Sequence, residues 1–274
     1  MRQVIYIILC CTFLIVLSDT VQQPNSEVSG TYEMIFSDEF NMPNGSRPDS
    51  SKWACSMRHK SRWARWISDS SAVAYIDKGK LICRAIPNTN LATDTAIMLT
   101  GAIETRNKFY FKYGKVEVRL KTNRYRGNFP AVWMLPQPPC KEHPYGGEID
   151  IFEAYGTNAD AYHTAHTHWT LHLKNKNKPQ HQFHEQVSMH KWHVYGVEWD
   201  ERKITWLVDG KIVGVYFKLS DSDALKNGQW PFDHPFYIVI NQSVGDHTWP
   251  DPPNLKHTYT TYIDWIRVYQ KTKE

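Results

Sequence analysis

The chain is poor in cysteine, in helical periodicity, in long apolar runs and in charge of one sign, and each shortage excludes something. Its five cysteines fall to three (Cys55, Cys83 and Cys140) once a leader is set aside, so at most one disulfide can form. No CxxC pair offers a metal site, and a chain of 274 residues can bury enough core without such staples. Lys and Arg number 32 against 28 Asp and Glu, a mixed surface that argues against a nucleic-acid partner. The unbroken apolar run Val4 to Leu17 has 14 residues, short of the ~20 that cross a bilayer. With 41% apolar and 22% charged residues, disordered, collagen-like and coiled-coil chains are excluded as well.

What is there begins with a targeting segment. Arg2 followed by Val4 to Leu17 reads as a signal peptide over residues 1–20, with small residues for cleavage near Ser18; an uncleaved N-terminal anchor is the alternative. A polar linker over 21–30 follows, then one domain over 31–274, a length that all-β sandwiches reach as single units. The expected destination is outside the cytoplasm: secreted, periplasmic or at the cell surface. Lipidation at Cys10 or Cys11 is poorly supported, because Leu9 stands where a small residue is needed.

Beyond the linker the pattern is that of strands. Lys115 to Lys121 alternates, placing Val116, Val118 and Leu120 on one face. Lys203 to Val208, Asp209-Gly210, then Lys211 to Phe217 is a hairpin signature, since Asp-Gly tolerates the positive φ of a type I′ turn. Phe236 to Asn241 and Tyr262 to Gln270 are further β-rich runs, and only Ser220 to Lys226 reads as a helix. Strands without βαβ alternation predict an all-β, two-sheet sandwich. Aromatic residues make up 14% of the chain and include 11 Trp, a load that suits a core or a ring-stacking ligand such as a carbohydrate.

The chemistry concentrates in Gly146 to Glu153. Strand period puts Glu148 and Asp150 on one face and Ile149 and Ile151 on the other, while Glu153 breaks parity. A one-residue bulge near Ile151-Phe152 would restore it and line up all three acids. Three adjacent like charges predict that at least one keeps its proton at neutral pH. A carboxylate beside a carboxylic acid is the equipment of glycoside hydrolysis, and two outer Glu over a central Asp suit the ~5–5.5 Å separation of a retaining enzyme. The same oxygens would also serve an acidic edge strand or a divalent-cation site.

The run Glu148-Ile149-Asp150-Ile151-Phe152-Glu153 resembles the ExDxxE signature of glycoside hydrolase family 16. The likeness covers nearly the whole domain. Phe36 to Asn41, Phe109 to Arg119, Phe129 to Pro136, Thr164 to Thr167, Trp230 to Tyr237 and Ile263 to Gln270 match landmarks of its laminarinase-like branch in order. The resemblance implies a β-jelly-roll with an open concave cleft for an extended polysaccharide. It implies Glu148 as nucleophile, Glu153 as acid/base and Asp150 as the residue assisting the nucleophile. It places His166 near the scissile sugar and Trp249 on the cleft rim. Trp133 would be a stacking wall, although its strand is apolar on both faces and a core position is the alternative. No cofactor is needed for catalysis, and Glu39 and Asp264 match positions that can serve a structural Ca²⁺.

The resemblance implies an endo-acting retaining hydrolase of β-1,3-glucan, working as a monomer on a glycan. Its rival is an endo-β-galactosidase on host glycans or a sulfated galactan. Phe129, where the laminarinase pattern usually has Trp, weakens the pure β-1,3-glucan assignment. Arg58 to Trp66 packs four fixed positive charges with Trp63 and Trp66. That segment is either a set of sugar platforms and donors on the non-reducing side or a solvated basic loop with its Trp tucked inward. Net charge favours a neutral substrate. The Pro-rich stretch Gln137 to Tyr145 is expected beside the active site. On a strand, His166, His168 and His172 share a face that His163 does not, a polar wall rather than a zinc site. Relatives that only bind glucan typically lack one or both glutamates, which this chain retains.

Overall fold

A computed structural model describes residues 31–246 and 248–272. The leader and linker assigned to 1–30 lie outside the described residues. The strands are β1 (Tyr32–Asp38), β2 (Ala54–Cys55), β3 (Ala74–Ile76), β4 (Leu81–Pro87), β5 (Met98–Glu104), β6 (Gly114–Thr122), β7 (Asn128–Pro136) and β8 (Glu148–Glu153). They continue with β9 (Asp160–His166), β10 (Gln182–Gln186), β11 (His193–Trp199), β12 (Lys203–Val208), β13 (Lys211–Phe217), β14 (Phe236–Val244) and β15 (Tyr259–Lys271). Two short helices, α1 (His168–Leu171) and α2 (Ser222–Lys226), interrupt them.

Hydrogen bonding runs β10-β9-β8-β7-β14-β5-β4-β15-β6-β11-β12-β13, and the path folds over on itself into a two-layered, all-β jelly-roll sandwich. Val116, Val118 and Leu120 turn inward from β6, as their alternation with charged residues requires. They share one core with Val132 and Met134 of β7, Ile149, Ile151 and Phe152 of β8, and Ile238 and Ile240 of β14. Each such side chain contributes about 1.5–3 kcal/mol by leaving water. The two ends of the path also meet. Phe183 of β10 lies so close over Gly214 of β13 that a Cβ there would stand 2.1 Å from its ring, and it packs on Trp206 at 5.6 Å between centroids.

The Asp-Gly hairpin forms where its residues demand it, with Asp209 at φ 49° and Gly210 at φ 78° joining β12 to β13. The helix read at Ser220 to Lys226 is α2, capped by Asp221. The strand reading of the histidines fails after His166, because 168–171 is helical. There the Thr167 side chain accepts from the Thr170 N–H, and Thr170 reciprocates toward the Thr167 N–H. Four residues are too few to show a helical period. Cys55, Cys83 and Cys140 are all free thiols.

Candidate active site

Because the core claims one face of β7, β8 and β14, the opposite face is the cleft. Gly147, at φ +83°, reverses the chain just before β8, and a Cβ there would come within 2.8 Å of Pro231. Asp150 then pairs with Trp133 of β7 and Thr164 of β9, and Glu148 pairs with His166. Parity breaks at the expected place. Ile151 and Phe152 together oppose the single residue His163 on β9, and Glu153 resumes pairing with Ala131 and Tyr162. The bulge is stabilised from inside by a hydrogen bond between His163 Nδ1 and the Ile151 carbonyl at 2.7 Å. Glu148, Asp150 and Glu153 all face the cleft.

Two histidines meet these acids. His143 Nε2 lies 3.0 Å from Glu148 Oε2. His166 Nε2 lies 3.2 Å from Asp150 Oδ2 and 3.9 Å from Glu148 Oε1. Burial pushes the Glu148 carboxyl up, but the His143 hydrogen bond and the charges of His166 and His143 outweigh it and hold the group below the usual carboxylate range. Asp150 is raised well above its usual value by burial and by the Glu148 charge beside it. Glu153 is raised well above as well, by burial first and by the Asp150 charge second, against the Tyr155 hydroxyl that donates to its Oε2 at 2.6 Å. Neighbouring carboxyls in one row are thus pushed in opposite directions, which is the division of labour needed by a nucleophile and a general acid.

The flanking aromatics divide into supports and rims. Trp133 is on the cleft face but only 6% exposed, because Trp63 meets it edge-on at 4.9 Å. Its Nε1 donates to Asn241 Oδ1, Asn241 donates to Ser243 Oγ, and Ser243 donates to the Trp63 carbonyl. Trp133 is therefore the foundation of Trp63 rather than an open stacking wall. Trp66 packs against the small cluster of Ala85, Met98, Val244 and Tyr259, so it too is more support than platform. Trp249 is 42% exposed and stands on Phe129 and Tyr155, as a rim residue near Glu153 should.

Three arginines of the basic loop are engaged by carboxylates of the chain itself. Arg58 makes a bidentate pair with Asp94 at 2.8 and 2.7 Å. Arg65 reaches the buried Asp246 at 3.1 Å, with Arg62 at 4.0 Å. Asp246 also accepts from the Thr248 N–H and hydroxyl and from the Trp249 N–H, so one carboxylate ties the loop bearing Trp63 to the loop bearing Trp249.

The Ca²⁺ expectation finds no support in the contacts of Glu39 and Asp264. Glu39 spends both oxygens on Arg267, at 2.8 and 3.0 Å, and Asp264 is taken by Lys80 at 3.2 Å and by Arg119. Neither offers a free carboxylate, so these residues do not fit the ion. Among the described residues, ligand-type atoms of Glu148, Asp150 and His166 do gather within 4.8 Å of one another. These are three groups, fewer than the four that close a structural zinc site.

Sequence reasoning missed three members of this site. Tyr155 carried a signal, since two residues beyond Glu153 is the same face of an extended chain. His143 sits in the Pro-rich loop that was placed beside the acids, but nothing in its spacing aims it at Glu148. Asp246 has no local pattern at all.

The model of the glycosyl hydrolases family 16 matches residues 61–267, more than half of the chain. The chain is 31% identical over 242 residues to a keratan-sulfate endo-1,4-beta-galactosidase of Sphingobacterium multivorum, across 87% of this chain and 55% of that protein. It is 30% identical over 281 residues to glucan endo-1,3-beta-glucosidase A1 of Niallia circulans, across 92% of this chain and 40% of that one. It thus spans about half the length of these curated relatives. The laminarinase of Rhodothermus marinus has the same fold, with a TM-score of 0.74 at 28% identity over 89% of this chain and 100% of that structure.

Proposed function

The chain belongs to glycosyl hydrolase family 16, and from that premise we propose that it is an endo-acting, retaining β-glycosidase whose substrate is a neutral β-1,3-glucan. The observation that carries the reading is geometric: the bulge at Ile151-Phe152 brings Glu148, Asp150 and Glu153 into one row on the cleft face of β8, with Glu148 held low by His143 and Glu153 pushed up by burial. Glu148 attacks the anomeric carbon while Glu153 gives its proton to the departing glycosidic oxygen. Water then enters, loses a proton to Glu153 and releases Glu148, so two inversions amount to retention. Asp150, buried between them with its pKa raised, orients the nucleophile. His166, facing both Asp150 and Glu148, adds positive potential to the same end. No resident cofactor enters these steps.

The neutral substrate is supported by Arg58 and Arg65, whose charges are already matched by Asp94 and Asp246. The glucan is supported by the glucanase relative and by the likeness to the laminarinase. A second reading, endo-β-galactosidase on galactose-containing glycans, is favoured by the galactosidase relative at 31% identity. Digestion of laminarin, mixed-linkage glucan, agarose, carrageenan, keratan and mucin glycans, with linkage analysis of the products, decides between them. Release of internal β-1,3-gluco-oligosaccharides is the expected result; cleavage confined to galactose linkages would replace it with the second reading. The Arg2 and Val4 to Leu17 pattern supports export of the protein, and we infer that it acts as a monomer.

A further inference from the structure

The loop from Gln137 to Gly147 joins β7 to β8, and its path is tightly specified. Gln137 Nε2 donates to Asn107 Oδ1 at 2.6 Å, and the Glu142 carbonyl accepts from the N–H groups of both Tyr145 and Gly146. The Tyr145 ring stacks on His168 at 4.2 Å, which docks the loop on α1. Gly146 is needed for the close return, since a Cβ there would stand 2.5 Å from the Lys141 carbonyl. The result is that His143, five residues before Glu148, presents its imidazole to that carboxylate at 3.0 Å while remaining 49% exposed on the cleft wall. A residue kept only for packing would be covered.

The two oxygens of Glu148 are thereby made unequal. Oε2 is held by His143, and Oε1 lies 3.9 Å from His166 Nε2. On the reading of Glu148 as nucleophile, we propose that His143 is a positioning residue that fixes Oε2 as the spectator oxygen, leaves Oε1 to attack, and speeds release of the sugar from Glu148. In the first half-reaction the Oε1–C1 bond forms and the leaving oxygen departs with the proton from Glu153. Oε2 becomes the ester carbonyl and keeps the His143 N–H. In the second, water attacks C1, its proton goes to Glu153, and the Oε1–C1 electron pair returns to the carboxylate. Negative charge grows there as the ester breaks, so a fixed donor stabilises that transition state more than the neutral ester. The same donor makes Glu148 a weaker nucleophile, so its effect on the first half-reaction is small or opposite.

The test uses the full chain, with wild type, His143→Ala and His143→Gln, whose amide N–H can still donate. Each is labelled with a 2,4-dinitrophenyl 2-deoxy-2-fluoro-β-glycoside of the sugar identified by the panel, and the labelled fraction is followed by intact-protein mass. The label is expected on Glu148 in all three. Its lifetime should lengthen at least about tenfold in His143→Ala and stay within about threefold of wild type in His143→Gln. With an activated aryl glycoside, His143→Ala should lower kcat and KM together and leave kcat/KM within about threefold. Equal lifetimes in wild type and His143→Ala would overturn the proposal, as would a loss in kcat/KM that matches the loss in kcat. Failure of the Gln variant to restore the lifetime would overturn it too. A wild type that neither hydrolyses any glycan of the panel nor takes the label would overturn the assignment of Glu148, and the role of His143 with it.

Discussion

Trp206 of β12 donates its indole N–H across the sandwich to the carbonyl oxygen of Asp150, at 2.8 Å. The central residue of the acid row is thus held by its backbone from the far layer, while its side chain faces the cleft. Asp150 O has its lone pair used by a ring that is itself fully buried, so the strand cannot slide without breaking a buried hydrogen bond. Trp206→Phe removes that donor and leaves a cavity where the larger indole packed. It should lower kcat more than it raises KM and cost about 1–3 kcal/mol of stability, measurable by denaturant unfolding and steady-state kinetics side by side.

The acids themselves give the bluntest expectation. Glu148→Gln and Glu153→Gln should each lower kcat by about 10³-fold or more, and NMR of the first-formed product from wild type should show the retained anomer. An inverted first product would remove the nucleophile from the mechanism.

Tyr155 tests the general acid through pH. Glu153 works protonated, so activity is lost as pH rises through its raised pKa. The Tyr155 hydroxyl favours the ionised form and so holds that pKa down. Tyr155→Phe should therefore move the basic limb of the kcat/KM profile to higher pH. A limb that stays put or moves down would mean that Glu153 does not set it.

Buried groups make stability depend on pH in two opposing directions. His163 and His181 are held neutral by burial, with pKa values lowered to about 4. The unfolded chain binds their protons first, so stability drops as pH falls from about 6.5 toward 4, by roughly 3 kcal/mol for the deeply buried His163 and by less for His181, which solvent screens. Glu153 and Asp150 run the other way. Their folded pKa values are raised, so stability drops as pH rises from the unfolded values near ~4 toward the folded ones, by about 1.4 kcal/mol per pH unit for each. In melting curves across pH, His163→Gln should flatten the acid slope and Glu153→Gln the basic one.

The aromatic pair on the cleft face separates binding from packing. Trp63→Ala should raise KM with little change in Tm, whereas Trp133→Ala should cost about 3–5 kcal/mol of stability, because it empties a buried site and orphans Asn241. Because Arg58 and Arg65 are internally paired, KM should also change little between 0.1 and 1 M salt; a steep climb would restore the acidic-substrate reading.

What was legible in the sequence was what local rules control. Asp209-Gly210 announces its turn because few other pairs accept two positive φ angles. The alternation of Val116, Val118 and Leu120 announces a half-buried strand, and the broken parity of Glu153 announces the bulge. What could not be read depends on which strands meet. Trp133 and Asn241 are 108 residues apart and become partners only through the β7–β14 pairing. Glu39 and Asp264 carried the right residue type for a cation, but Arg267, Lys80 and Arg119 arrive from other strands to take their charges. His143 reaches Glu148 through loop closure, which leaves no period to detect.

The bulge carries a consequence for tolerance to length change. It absorbs one residue entirely between Asp150 and Glu153, on the side away from the cleft. Removing Ile151 would let the three acids fall into plain alternation, still all facing outward. The loss would be felt behind the strand, where His163 would give up its carbonyl partner and the core an isoleucine. A four-residue and a five-residue spacing thus solve the same problem at the cleft, and the choice between them is registered in the hydrophobic interior rather than in the chemistry.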